Sequence, residues 1–337
     1  MCAGTRPHTQ VVVYSTPGLE YWYSDVLTSF QSSCAVTISY ASAPSPALLD
    51  RLRDERPAPL ADVVIAQPPE LTTAANDSLL DDGGLVEAAA VPAERCDDRH
   101  RWCTVAENYS SWVYDPLTVA RPPLTWADLL DSRFAGHIVS SGPIVPAGLA
   151  NVVLLARQMG TAGAFEYLAH LEAATSGHYL LTDSMSRAVA AGSGPLVANG
   201  DLQEDLNDID QYHSVAIWFP TLDATSRSAL ALPYGAARVR GGHNPDNARA
   251  LLRLLWSVAG QSGVGAAYLA PARPDVVPTD TRSKRLRAAL AGVTVVRPNW
   301  EQVARDQTSL IARWQALRTA PDGPTASPPT TTPQLFP

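Results

Sequence analysis

Three kinds of polar grouping in this 337-residue chain could do chemistry. The first is small hydroxyl and glycine residues at the ends of apolar runs. Ser15, Thr16 and Gly18 follow Val11–Tyr14, Ser140, Ser141 and Gly142 precede a helix-like stretch, and Asp183 and Ser184 head another. Free backbone N–H groups at a helix start, with the positive end of its dipole, favour an oxyanion without any cation. The same residues can also serve only as helix caps, the better reading for Asp183. The second kind is a carboxylate beside such a loop, Glu20 or Asp201, either of which could pair with an ammonium group. Gln67, at the end of a strand, is a further polar candidate, and Tyr109 and Tyr234 could offer a cation an aromatic face. The third is Cys96, His100 and Cys103. As a zinc site the trio lacks the fourth ligand that zinc normally takes. A Cys96–Cys103 disulfide across the polar turn 97–102 is the simpler reading, and such a staple belongs to an oxidising, extracytoplasmic compartment. Cys34 would then be a lone buried thiol.

Familiar catalytic signatures are missing. There is no G-x-S-x-G elbow and no H-E-x-x-H, and the sole lysine, Lys284, follows Ser283 rather than the glycine of a phosphate-binding loop. Gly263-Val264-Gly265-Ala266-Ala267-Tyr268 fails the dinucleotide fingerprint at its third glycine. The expectation is a protein that is not an enzyme, with no metal and no cofactor.

The elements that must position these groups alternate. Val11–Ser15 and 61–66 read as strands buried on both faces, Val36–Tyr40 as an alternating strand, and 19–30 and 47–56 as amphipathic helices between them. Strand, helix, strand, helix, strand is the signature of an α/β fold with a parallel sheet, and ligands of such sheets sit beyond the carboxyl ends of the strands. A second α/β block follows the cysteines, with helices expected at about 148–159, 162–174 and 184–191, and a return to the first domain then brings a strand near 229–234 and an amphipathic helix at 247–259. With 46% hydrophobic residues, 17% charged residues and a net charge of −8, the chain suits a globular protein and lacks the clustered cations that nucleic acid requires. No apolar run approaches the ~20 residues of a membrane span. Met1-Cys2-Ala3-Gly4 fits the start of a mature lipoprotein lipidated at Cys2, although an ordinary second-residue cysteine reads the same way. The Pro- and Thr-rich end is too poor in apolar residues to pack.

Five blocks resemble the periplasmic substrate-binding proteins of ABC importers, in the branch of the 2-aminoethylphosphonate and ferric-ion receptors. They are VVVYSTPGLE at 11–20, ADVVIAQPP at 61–69, LTWADLLDSRFAGHI at 124–138, VANGDLQEDLND at 197–208 and LPYGAARVRGGHNPDN at 232–247. The resemblance implies a two-lobed class II periplasmic-binding-protein fold, each lobe a mostly parallel sheet flanked by helices, joined by two hinge strands. It implies lobe 1 from 10–108 plus 235–318, lobe 2 from 109–234 and a disordered tail at 319–337, with crossings near 107–114 and 218–232. Ferric receptors of this group use adjacent tyrosines where this chain has Asp210-Gln211-Tyr212-His213, which counts against iron. The cargo implied is a small phosphonate, with ferric ion, another oxyanion or a polyamine as alternatives. The phosphonate would be gripped by Ser15, Thr16 and Gly18 from one lobe and Ser140, Ser141, Gly142 and Ser184 from the other. Its amine would meet Glu20, Asp201, Tyr109 or Tyr234. An extracytoplasmic monomer that closes on its ligand and is read by permease subunits completes the expectation, a lipid at Cys2 being its link to the membrane.

Overall fold

The computed structural model describes residues 2, 4–6, 9–178, 183–192, 194–212, 214–222 and 226–319, leaving out the side chains of 183, 184, 212 and 319. The chain starts with β1 (Gln10–Ser15), α1 (Glu20–Cys34), β2 (Thr37–Ser42), α2 (Ser45–Asp54), β3 (Val63–Ala66) and α3 (Pro68–Asn76). β1 lies between β2 and β3, parallel to both. Its Val11 and Val13, with Val63 and Ile65 of β3, are fully buried against Trp22 and Phe30 of α1. β-branched runs this apolar suit strands covered on both faces, and helices supply the cover. Tyr14 points to the opposite face and donates its hydroxyl to the Glu55 carboxylate at 2.8 Å.

A 13-residue strand follows, β4 (Trp102–Tyr114), about 40 Å long at the usual rise per residue. Beyond it come β5 (Ile138–Ser140), α4 (Pro146–Ala174), β6 (Thr175–His178), α5 (Asp183–Ala190), β7 (Val197–Asp201), α6 (Leu202–Tyr212) and β8 (Ala216–Trp218). The 11-residue β9 (Ser228–Arg238) returns antiparallel to β4, with Trp102 opposite Ala237 and Tyr109 opposite Ala231. Strand order β2-β1-β3-β9-β4-β7-β5-β6 makes β4 and β9 the shared centre of two half-sheets. One half carries β1 to β3, and the other carries β5 to β8. α4 breaks at Gly160, whose φ of 74° and ψ of 160° are non-helical. That break separates the two helices read at 148–159 and 162–174.

The remaining elements are α7 (Pro245–Leu255), α8 (Val258–Ser262), β10 (Ala270–Pro271), α9 (Thr281–Ala289), β11 (Thr294–Val296) and α10 (Trp300–Thr319). α7 buries Leu251, Leu252 and Leu255 on the first half-sheet. α10, absent from the sequence reading, packs on both α3 and α4 and so touches both halves. Trp314 is its anchor, 3% exposed. The indole donates to Glu172 Oε1 at 2.7 Å and stands edge-on to His178. The tail read from 319 falls, from residue 320 onward, outside the described residues.

Cys96 and Cys103 are joined by a disulfide, as the turn between them suggests, so their sulfurs are not metal ligands. Cys34 corrects the reading: it is bonded to Cys2 across a separation of 32 residues and is not a lone thiol. A sulfur in that bond cannot also carry the thioether of a lipid, so this structure does not contain the Cys2 that a lipid anchor needs. Among the described residues no helix is long and apolar enough to cross a membrane.

Candidate functional site

A cavity of about 460 Å³ opens between the two halves, floored by β4 and β9. Several loops and helix starts converge on it, and the helix starts differ in a way that decides the chemistry. α1 begins with Glu20, whose Oε2 accepts the Gly18 N–H at 2.8 Å. α2 begins Ser45-Pro46, and α3 begins Pro68-Pro69-Glu70. Proline has no N–H to offer, and a carboxylate in the first turn takes the place an external anion would occupy. The starts of α1 and α3 on the first half, each with a glutamate in its first turn, are thereby closed to oxyanions. α4 on the second half differs: Pro146 opens it, and the N–H groups of its first turn, beginning with Ala147, have no intrahelical partner.

One end of the cavity is a hydrogen-bonded polar network. Gln203, 2% exposed at the start of α6, donates through Nε2 to the carbonyls of Gly18 and, at 2.8 Å, Ala267. Its Oε1 accepts the Tyr234 hydroxyl at 3.0 Å, and its N–H donates to Asn108 Oδ1 at 3.0 Å. Asn108 Nδ2 in turn donates to Asp201 Oδ1 at 2.7 Å. One side chain therefore ties the second half to two backbone carbonyls of the first. Gly18 is required there: its φ is +102°, and a Cβ would lie 2.5 Å from the Tyr234 hydroxyl oxygen. Burial, and the negative charge of Asp201, Glu204 and Glu20, push the Tyr234 phenol up, which keeps it a donor.

The described lining residues include four carboxylates, Glu20, Glu70, Asp201 and Glu204, and no Arg, Lys or His. Glu70 hydrogen-bonds Gln307 of α10 at 3.3 Å, and burial nevertheless pushes its carboxyl up. Next to this network along β9, Leu230 and Leu232 form an apolar cluster with Ala150 and Val153 of α4 and with Trp300.

Of the residues singled out in the sequence, Thr16, Gly18, Glu20, Gln67, Asp201 and Tyr234 line this cavity. Ser15 does not: it is fully buried, bonded to the Thr16 carbonyl and the Tyr23 hydroxyl. Tyr109 is also displaced, because alternation along β4 sends Asn108 into the cavity and Tyr109 to the far face, where its hydroxyl donates to Glu107. Ser140, Ser141 and Gly142 are turned inward. Ser141 exchanges hydrogen bonds with Asn199 at 2.7 and 3.0 Å, Ser140 donates to the Ser141 carbonyl, and Gly142 lies under the Trp314 ring. Ser184 sits in the first turn of α5, and its side chain, like the Tyr212-His213 pair, lies outside the described residues. Asn108, Gln203, Glu204, Glu70, Ser45, Gln307 and Trp300 are the polar and aromatic lining residues that the sequence reading missed. For Gln203 a signal existed, since it lies within the NGDLQ block two residues after Asp201.

Comparison with known proteins agrees with this architecture. Residues 11–265 match the family model of the bacterial extracellular solute-binding proteins. The "Putative 2-aminoethylphosphonate-binding periplasmic protein" of Salmonella typhi is 34% identical over 314 residues, covering 91% of this chain and 92% of that one. Among solved structures, the periplasmic binding protein AfuA of Actinobacillus pleuropneumoniae, with fructose-6-phosphate bound, superposes with a TM-score of 0.77 at 17% identity. That match covers 92% of this chain and 98% of AfuA. Apo ferric ion-binding protein A of Pasteurella haemolytica gives 0.78 at 15% identity, with the same coverages. The two-lobed α/β fold is thus that of the periplasmic binding proteins, and the chain belongs to the bacterial extracellular solute-binding protein family.

Proposed function

We propose that this solute-binding receptor captures a small aminophosphonate of the 2-aminoethylphosphonate kind between its lobes, for delivery to the permease of an ABC importer. The observation that carries the reading is that one cavity offers both carboxylates and a helix N-terminus. Glu20, Asp201 and Glu204 surround the Tyr234 hydroxyl, Glu70 is a fourth lining carboxylate beside Gln307, and the N-terminus of α4 lines the cavity as well. An ammonium group suits the carboxylates, and a phosphonate, with its acceptor oxygens, suits the backbone N–H groups of α4. Thr16 is a further hydroxyl within the cavity. The 34% identity to a protein named for 2-aminoethylphosphonate supports the cargo. This assignment moves the anion away from Ser140, Ser141 and Gly142, which are committed to internal contacts. The lobes would comprise 10–108 with 235–318 and 109–234, the ligand favouring the closed form because it touches both. The protein would act as a monomer outside the cytoplasm and release its ligand unchanged.

Isothermal titration with 2-aminoethylphosphonate, ethylphosphonate and putrescine tests this. The expected order is tight binding of 2-aminoethylphosphonate and a loss of at least tenfold for ethylphosphonate, which lacks the amine. Putrescine is the specific rival, because a cavity lined by four carboxylates also suits a diamine. Preference for putrescine over the aminophosphonate would replace the reading.

A further inference from the structure

The aminophosphonate reading uses only part of the cavity. At about 460 Å³ it falls within the ~300–1,000 Å³ typical of pockets for drug-sized molecules, and a zwitterion whose amine and phosphorus are two carbons apart leaves much of it unfilled. The unused part has one chemistry. Leu230 and Leu232 are buried and line the cavity, and they form a single apolar cluster with Ala150, Val153 and Trp300, which line it too. Their placement follows from period. On β9, residues 230, 232 and 234 share a face, so the leucines continue the line begun by the Tyr234 hydroxyl, at steps of about 7 Å. On α4, Leu149, Ala150 and Val153 present the matching helical stripe. Trp300, the first residue of α10, closes the cluster.

We propose that the natural ligand carries an apolar arm as well as its amine: an alkyl or aryl chain lying between Leu232, Val153 and Trp300, with Leu230 and Ala150 packed behind them and the ammonium held among the carboxylates. The inference rests on the reading above for one point, that the carboxylates take an ammonium. An apolar arm that displaces water from this wall gains affinity with each methylene buried, about fourfold for each.

Two ligand series separate the inference from the reading it rests on. The first is 2-aminoethylphosphonate and its analogues with propyl, butyl and benzyl groups on the amine-bearing carbon. The second is ethylamine, butylamine, hexylamine and phenethylamine. Titration calorimetry should show affinity rising at least tenfold from the parent to the butyl or benzyl member of the first series. Val153→Asn and Trp300→Ala should each shrink that ratio, which is taken within one variant and so cancels any general loss of folded protein. If 2-aminoethylphosphonate binds while its longer analogues bind equally or worse, the apolar arm is refuted and the aminophosphonate reading stands. If only the alkylamines bind, gaining with length, the arm stands and the phosphonate falls. Binding in neither series overturns both.

Discussion

Gln203 offers the sharpest test of how the lobes are held. Gln203→Met keeps the length of the side chain and removes its polar end. The Gly18 and Ala267 carbonyls and the Tyr234 hydroxyl then lose their partner. Gln203 and Tyr234 are both nearly inaccessible, at 2% and 6% exposure, so water replaces the lost bonds poorly. A buried polar group left unsatisfied costs roughly 1–3 kcal/mol, so three of them, partly relieved by relaxation, should cost about 3–5 kcal/mol in total. At ~2–4 °C per kcal/mol for chains of comparable size, a fall in Tm on the order of 10 °C is expected by differential scanning calorimetry. Saturating ligand that binds the folded form should recover part of it by mass action. Gln203→Glu is the control: it keeps an acceptor for Tyr234 but loses both donors, and it adds charge beside Asp201. It should do no better than the methionine variant. A Tm within about 1 °C of the parent for Gln203→Met, against the expected fall on the order of 10 °C, would show that the network does not join the lobes.

Three further outcomes follow from other parts of the fold. Asp205 is fully buried, its carboxyl is pushed well up by desolvation and then by Asp201, Asp208 and Glu204, and it accepts the Ser111 hydroxyl through Oδ2 alone. A carboxyl whose folded-state pKa is raised binds more protons folded than unfolded, so stability falls as pH rises above the unfolded value near 4. Asp205→Asn should therefore be more stable than the parent at neutral pH, with the advantage vanishing as pH is lowered toward 4; chemical denaturation at several pH values reads this, and an advantage independent of pH contradicts it. Cys2–Cys34 closes a far longer loop than Cys96–Cys103, with separations of 32 against 7. Chain-entropy arguments give about 3.7 and 2.5 kcal/mol respectively, so Cys34→Ser should lower Tm more than Cys96→Ser, and the reverse order would assign the stability to local strain relief instead. Trp314→Ala empties the space over Gly142 and orphans a Glu172 oxygen; a loss of ~3–5 kcal/mol is expected for a buried tryptophan, and a loss below 1 kcal/mol in urea denaturation would show that α10 is not anchored there.

Much of the frame was legible because it rests on local pattern. Val11–Ser15 and 61–66 could be little other than buried strands, and the rule that ligands gather at strand ends brought Thr16, Gly18 and Gln67 to the cavity. Where that reading failed, the missing information was tertiary. β4 is buried along nearly its whole length, so it has no apolar–polar alternation from which to choose between Asn108 and Tyr109, and the two faces differ by one residue. Ser140, Ser141 and Gly142 stood at the right strand end, but Ser141 is bonded to Asn199 and Gly142 is covered by Trp314 of α10. The helix itself was readable: Trp300, Val303, Leu310, Trp314 and Leu317 recur at three- and four-residue or doubled spacing, and Asn299 accepts the Gln302 N–H at its start. Its docking site was not, since nothing in residues 300–319 names Gly142 as a neighbour. Cys2–Cys34 failed for the same reason, proximity in sequence having favoured the one pair that is close in both senses.

The helix starts around the cavity also constrain how a zwitterion can lie in it. At an effective dielectric near 20, unit charges 4 Å apart interact by about 4 kcal/mol. An ammonium beside Glu20 or Asp201 gains on that scale before desolvation is subtracted, and a phosphonate in the same place loses it. Reversing the ligand therefore changes the sign of both end interactions, and no arginine or lysine among the described lining residues offsets the reversal. The start of α3 deepens the asymmetry, because Pro68 and Pro69 remove N–H donors and Glu70 adds a carboxylate where that helix could have held an anion on the first lobe. Orientation is thus set by where backbone donors are absent as much as by where carboxylates are present. A zwitterion bound as proposed would point its anionic end at α4 and its ammonium toward the network centred on Gln203, so that recognition of the amine would act on the same side chain that bonds to the Gly18 and Ala267 carbonyls.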